Sequence, residues 1–108
     1  MSSISTHILD TARGAPAAGV RVTLEQQEAA EWRLMGDGVT NKDGRIARFV
    51  SEGQSVAGGV YRLRFDTGAY QDGFFPEVVI VFTVGEGAQH YHVPLLLSPF
   101  GYSTYRGS

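Results

Sequence analysis

Three histidines, an arginine behind a tight turn and the closing tetrapeptide Tyr105–Ser108 are the residues of this 108-residue chain whose types and spacing suit proton-transfer chemistry. Histidine changes charge near neutral pH, so a sheltered pair of imidazoles can move protons to and from a reacting group. His7 stands in the run SISTHILD, and His90 and His92 stand in HYHVPLLLSP. In a strand, residues two apart share a face. His90 and His92 therefore point the same way as Pro94 and Leu96, while Val93, Leu95 and Leu97 face the core. In the first run Ile4, Thr6 and Ile8 make the apolar side, which leaves Ser5, His7 and Leu9 on the other. His7 and His92 are thus expected on faces turned away from the core of their own domain.

Each of these residues also has a plainer reading. An isolated strand histidine is more often a packing or surface residue than a catalyst, and His90, beside the polar GEGAQ turn, keeps that reading. His7 and His92 stand among apolar neighbours and do not fit it as well. The His-x-His pair together with His7 also makes a three-histidine zinc set conceivable, because two ligands two apart on one strand converge on one point. No carboxylate lies close by in sequence to support such a set, so zinc is the lesser option. Arg45 follows Asp43-Gly44 and opens a strand, so a fixed backbone would deliver a guanidinium able to grip a planar carbonyl or urea-like group through two parallel hydrogen bonds. By spacing alone Arg45 reads as a surface cation beside Lys42 and Arg48. The final Tyr-Arg-Gly-Ser gathers a phenol, a guanidinium, a hydroxyl and a chain-end carboxylate.

The elements that must position these groups are strands. Fourteen glycines, four prolines and runs of alternating polarity predict short strands joined by tight turns, with helix as the minor element. In VYRLRFD, Tyr61, Leu63 and Phe65 share one face, and Arg62, Arg64 and Asp66 the other. VRVTLE repeats the pattern with Val20, Val22 and Leu24 inward, and follows a strand over Ile4 to Leu9 across a turn containing Gly14, Pro16 and Gly19. WRLMGDGVT and RIARFV flank NKDG as a further pair of strands, and DTGAYQDG has room for a turn or one short helical piece. PEVVIVFTV and HYHVPLLLSP are apolar on both faces and are expected to be covered on both sides. A two-layer sandwich of this length needs only one buried face per sheet, so the second face is expected to meet another copy of the chain, the alternative being a thicker core with one strand wholly internal.

Composition narrows the function. A length of 108 residues with 43% hydrophobic content suits one domain with one core. A formal charge of −2 with interspersed signs offers no basic stripe for nucleic acid. The chain has no cysteine, which removes disulfides and thiol nucleophiles and is compatible with a cytoplasmic location. No leader is expected at the N-terminus, and no run is long enough to cross a membrane.

Thr6, His7, Leu9, Asp10, Gly14, Pro16 and Ala17 near the start, with HYHVPLLLSP and Tyr105–Ser108 at the end, resemble the 5-hydroxyisourate hydrolases, the enzymes of the transthyretin-like family. The resemblance runs essentially from end to end, and the closing Tyr-Arg-Gly-Ser is its most specific mark, since the hormone-carrying transthyretins lack it. It implies an all-β, two-sheet transthyretin-like sandwich of seven to eight strands with at most one short helix, forming a single domain over residues 1–108. It further implies a homotetramer built as a dimer of dimers, acting on 5-hydroxyisourate without a cofactor. The reaction implied is hydrolytic ring opening to 2-oxo-4-hydroxy-4-carboxy-5-ureidoimidazoline, on the route from urate to allantoin. His7, Arg45, His92 and Ser108 match the family's catalytic positions, with Tyr105 and Arg106 holding the substrate side of the site. The competing readings are a non-catalytic carrier of a small aromatic ligand and a zinc-dependent amidohydrolase on the same scaffold. The ending Arg-Gly-Ser is not a peroxisomal signal.

Overall fold

The structure is a computed structural model that describes residues 2–51, 54 and 56–107. Two sheets form the two layers. The first carries strands β1 (Ser3–Asp10), β2 (Ala15–Pro16), β5 (Arg45–Ile46), β8 (His90–Ser98) and β9 (Gly101–Thr104), in the order β2-β1-β8-β9 with β5 also on β1. The second holds β3 (Arg21–Glu28), β4 (Glu31–Val39), β6 (Gly59–Phe65) and β7 (Val78–Val84), in the order β4-β3-β6-β7. The single helix among the described residues, α1, is the four-residue piece Thr67–Tyr70, within the segment expected to turn.

Alternation decides what lies between the layers. From the second sheet Val22, Leu24, Tyr61, Leu63, Phe65, Val78, Ile80 and Val84 point inward, and they meet Ile4, Ile8, Val93, Leu95 and Leu97 from the first. Leu24 pairs with Leu63, and Leu63 with Ile80, so one row of branched side chains crosses three strands. Each such side chain contributes about 1.5–3 kcal/mol when fully buried. The predicted inward sets on β1, β3, β6 and β8 are therefore the observed ones.

One expectation needs correction. WRLMGDGVT and RIARFV both contain strands, but they do not pair with each other: β4 belongs to the second sheet, and β5 crosses to the first and pairs with β1. The Asn41–Gly44 turn redirects the chain between layers instead of folding it back on itself. The outer side of β7 is exposed within the chain, with Val81 57% exposed and Val79 37%. β7 is an edge strand of its sheet.

The end of the sandwich beyond Asp10 is pinned by a buried carboxylate. Asp10 accepts hydrogen bonds from the Ala12 and Arg13 amides at 3.1 Å each, and from the Tyr70 hydroxyl at 2.7 Å, which ties α1 to the turn after β1. Burial pushes this carboxyl up, but the hydrogen bonds from Tyr70, Arg13 and Ala12 outweigh it and hold the group below its ordinary range.

Candidate active site

The site is built on the one parallel pairing among the described residues. β1 and β8 run side by side with Ser3 opposite His90, Ser5 opposite His92 and His7 opposite Pro94. Period two then sets Ser3, Ser5 and His7 beside His90, His92 and Pro94 on the outer face of the first sheet. The rings of His7 and His92 lie 6.5 Å apart between centroids at 29°, and those of His90 and His92 lie 6.5 Å apart at 17°.

On the far edge of β1, β5 sets Arg45 directly opposite His7. The turn before it is organised by Asn41, whose side-chain oxygen accepts from the Asp43 and Arg45 amides at 2.9 and 3.0 Å. Gly44 is required there twice over. Its φ is +73°, and a Cβ at this position would come within 2.5 Å of the Ile8 carbonyl oxygen. The Ile8 amide in turn donates to the Gly44 carbonyl at 2.8 Å. The turn is thus clamped onto β1, and Arg45 is delivered to the histidine face from fixed backbone. Arg45, Ser5, His90 and His92 line a cleft of about 260 Å³.

The electrostatics favour uncharged imidazoles. Burial lowers the pKa of His7, and the Arg45 guanidinium lowers it further, against an opposing pull from a hydrogen bond to the Asp43 backbone and from the Asp43 carboxylate. Burial also lowers His92, helped by the positive charges that Arg45, His7 and His90 present when protonated. A neutral imidazole holds a lone pair that can accept a proton from water, beside a permanent cation suited to developing negative charge. Among the described residues, no group of three or more His, Asp or Glu side chains is arranged to hold a metal ion.

The C-terminal residues divide. The Gly107 amide donates to the His92 carbonyl at 2.8 Å, so the tail is brought onto the histidine strand. Tyr105 and Arg106 are exposed and do not reach the cluster within one chain. They line a separate groove on the side of Tyr91, where the Arg106 guanidinium lies 4.6 Å from the Tyr91 ring centre. Ser108 lies outside the described residues. One participant was not singled out from the sequence: Ser5, buried between the two strands, has its hydroxyl 2.7 Å from His92 Nδ1 and 2.9 Å from His90 Nε2. His90 itself is exposed, as read from its neighbours, yet it belongs to this hydrogen-bonded group. The signal available for Ser5 was its place two residues before His7 on the same face.

A family model described as the HIUase/transthyretin family matches residues 4–107. The chain belongs to that family. A Salmonella dublin protein named 5-hydroxyisourate hydrolase is 48% identical over 110 residues, covering 97% of this chain and 80% of that one. The solved structure of Klebsiella pneumoniae 5-hydroxyisourate hydrolase matches with a TM-score of 0.85 at 39% identity, over 98% of this chain and 99% of that one. Transthyretin from Sparus aurata matches with a TM-score of 0.89 at 37% identity, over 97% and 96% of the two chains. Hydrolases and transthyretins in the HIUase/transthyretin family thus share this fold equally well. Any distinction between them has to come from the residues of the site.

Proposed function

We propose that the chain hydrolyses 5-hydroxyisourate at a ring amide, as a cyclic amide hydrolase in the conversion of urate to allantoin. The observation that carries this reading is the juxtaposition of His7, His92 and Arg45 on one outer face, beside a cleft of about 260 Å³ that His92 and Arg45 line. One neutral imidazole accepts a proton from water as the oxygen attacks the amide carbonyl. The carbonyl electrons move onto oxygen, and Arg45 faces the resulting anion. When the tetrahedral centre collapses, the C–N bond breaks and its nitrogen takes up the proton from the imidazole that accepted it, while the second imidazole orients the water. Ser108, through its hydroxyl, completes the proposed site; Tyr105 and Arg106, which face the Tyr91 side within one chain, would join it only from a second copy in the proposed assembly.

The chain is read as one domain acting in a cytoplasmic homotetramer. The support for assembly is the uncovered apolar outer face of β7 and the exposed side chains of Phe74, Phe100 and Tyr102 around β9. Among the described residues, no helix is long and apolar enough to cross a membrane. A carrier of an aromatic ligand shares the fold, but a cleft lined by two histidines and an arginine is poorly matched to an apolar cargo.

The test is addition of pure protein to freshly generated 5-hydroxyisourate, with the ultraviolet decay compared with the spontaneous rate. His7→Asn and His92→Asn are each expected to lower turnover by about two orders of magnitude with the fold intact. Prior treatment with a chelator is expected to leave turnover unchanged, and its loss would favour the zinc reading. No acceleration above the spontaneous decay would refute the hydrolase reading.

A further inference from the structure

The hydrogen-bonded group on the β1–β8 face continues past His92. Ser5 Oγ bridges His92 Nδ1 at 2.7 Å and His90 Nε2 at 2.9 Å, and Ser3 Oγ lies 2.5 Å from His90 Nδ1. His92 is half-buried at the cleft, Ser5 is buried, and both His90 and Ser3 are exposed. The alternation of hydroxyl and imidazole follows from the parallel register, which sets Ser3 against His90 and Ser5 against His92. A serine hydroxyl has one proton to donate and two lone pairs to accept with. Ser5 therefore cannot donate to both rings.

We propose that Ser5 and His90 are positioning residues forming a proton relay that connects His92 to solvent. This rests on the hydrolase reading given above. In one arrangement His92 Nδ1–H donates to Ser5, the Ser5 O–H donates to His90 Nε2, and His90 Nδ1–H donates to Ser3. His92 Nε2 is then bare and is the base. When Nε2 takes the proton of the attacking water, its Nδ1 proton passes to Ser5 Oγ. The former Ser5 proton passes to His90 Nε2, and the Nδ1 proton of His90 leaves for solvent through Ser3. Counting Ser3, four N–H or O–H bonds form and four break along the chain, no charge stays on Ser5, and His92 ends neutral with its proton on Nε2. That second arrangement is the one able to donate its Nε2 proton to a leaving nitrogen, as the chain runs back and a proton re-enters from solvent through Ser3. The relay thus converts His92 from base to acid without leaving an imidazolium beside Arg45, whose guanidinium disfavours one.

The arrangement makes a prediction about tautomers. In both continuous states His90 and His92 carry their proton on the same-named nitrogen, Nδ1 in one and Nε2 in the other. Histidine side-chain nitrogen NMR at a pH where both rings are neutral is expected to find matching tautomers in the native protein, and to find that match lost in Ser5→Ala. Opposite tautomers in the native protein would break the chain of donors and overturn the relay. Turnover supplies a second readout. His90→Asn and Ser5→Ala are each expected to lower kcat roughly tenfold or more in dilute buffer, the lower end of what a lost proton-transfer step costs. Added imidazole is expected to restore His90→Asn but to leave the native enzyme unchanged, and Ser5→Thr, which keeps the hydroxyl, is expected to retain most of the native rate. Native turnover in both His90→Asn and Ser5→Ala, with His92→Asn inactive, would overturn the relay while the hydrolase reading stands. A native protein with no hydrolysis at all would defeat that reading instead, and the tautomer match would then decide the proton network alone.

Discussion

The tail's approach to the histidine strand is tested by Gly107→Ala. A Cβ built on Gly107 would lie 2.7 Å from His92 Cδ2 and 3.2 Å from Pro94 Cγ. Ordinary contact begins near 3.4 Å, so one partner must yield by about 0.7 Å. The Gly107 amide is held to the His92 carbonyl at 2.8 Å, and Pro94 is a buried ring on the central strand of its sheet, so neither backbone gives easily. The imidazole is the softer group. Turning it away from Gly107 strains its 2.7 Å contact with Ser5 and displaces a ring that lines the cleft. A misplacement of about 1 Å at a reacting group costs on the order of a hundredfold, so a shift somewhat smaller than that should lower kcat roughly 10- to 100-fold. Stability should change by no more than about 1 kcal/mol, because the substitution lies at the end of the described chain and removes no core contact. Gly101→Ala is the control, since its Cβ would meet only Ser98 Oγ at an ordinary 3.7 Å. Steady-state turnover on freshly generated 5-hydroxyisourate, with thermal melts by circular dichroism, measures both quantities. Native kcat in a folded Gly107→Ala protein would refute the claim that this contact sets the ring.

Three other outcomes follow from the geometry. Arg45→Met removes a cation that lowers both His7 and His92, so the acid limb of the kcat/KM profile should move up toward their ordinary value of 6.5, along with a fall in rate; a lower rate with an unmoved limb would mean that Arg45 does not couple to either ring. The same lowered pKa values bear on stability. Between 6.5 and the folded-state values the unfolded chain binds more protons, so the stability these rings permit above pH 6.5 is lost as pH falls through that window. Urea midpoints at pH 8 and pH 5 should differ more for the native protein than for the double variant His7→Asn/His92→Asn. Tyr70→Phe takes a donor from the buried Asp10 carboxylate and should cost about 1–3 kcal/mol in urea denaturation, with kcat unaffected, since Tyr70 lies at the end of the sandwich away from the cleft.

Period two makes the two histidine-bearing strands legible in the sequence. Ile4, Ile8, Val93, Leu95 and Leu97 turn inward, and His7 and His92 outward, as simple alternation requires. What alternation cannot supply is register between distant strands. Ser5 and His92 are 87 residues apart in sequence, and a shift of one residue between β1 and β8 would separate the hydroxyl from both rings. The place of Arg45 was hidden for a related reason. Asn-Lys-Asp-Gly between two apolar runs has the local chemistry of a hairpin, and only the choice of sheet by Ile46, which is buried among the core residues, carries the following strand across to β1. Tyr105 and Arg106 show the opposite limit. Their chemistry was plain in the sequence, but beyond β9 strand alternation no longer fixes direction, and within one chain they face the Tyr91 side.

The outer face of β1 and β8 combines two needs that oppose each other in a single chain. Neutral imidazoles require partial burial beside a cation, and both occur here. Strong stabilisation of an oxyanion requires that the cation be shielded from water, yet the side chain of Arg45 is exposed and the cleft opens to solvent. At an effective dielectric constant near that of water, two unit charges 4 Å apart interact by only about 1 kcal/mol, against about 4 kcal/mol at the values typical near a protein surface. The proposed assembly addresses this shortfall, because a second copy laid over the cleft would exclude water from Arg45 without altering the strands that hold it. The same covering would leave the Ser3–His90 end as the route by which a proton reaches solvent, provided that end stays at the rim. On this view the relay and the assembly serve one purpose: the drier the chemistry around Arg45 and His92 becomes, the more the site needs a wired path for the proton that water gives up.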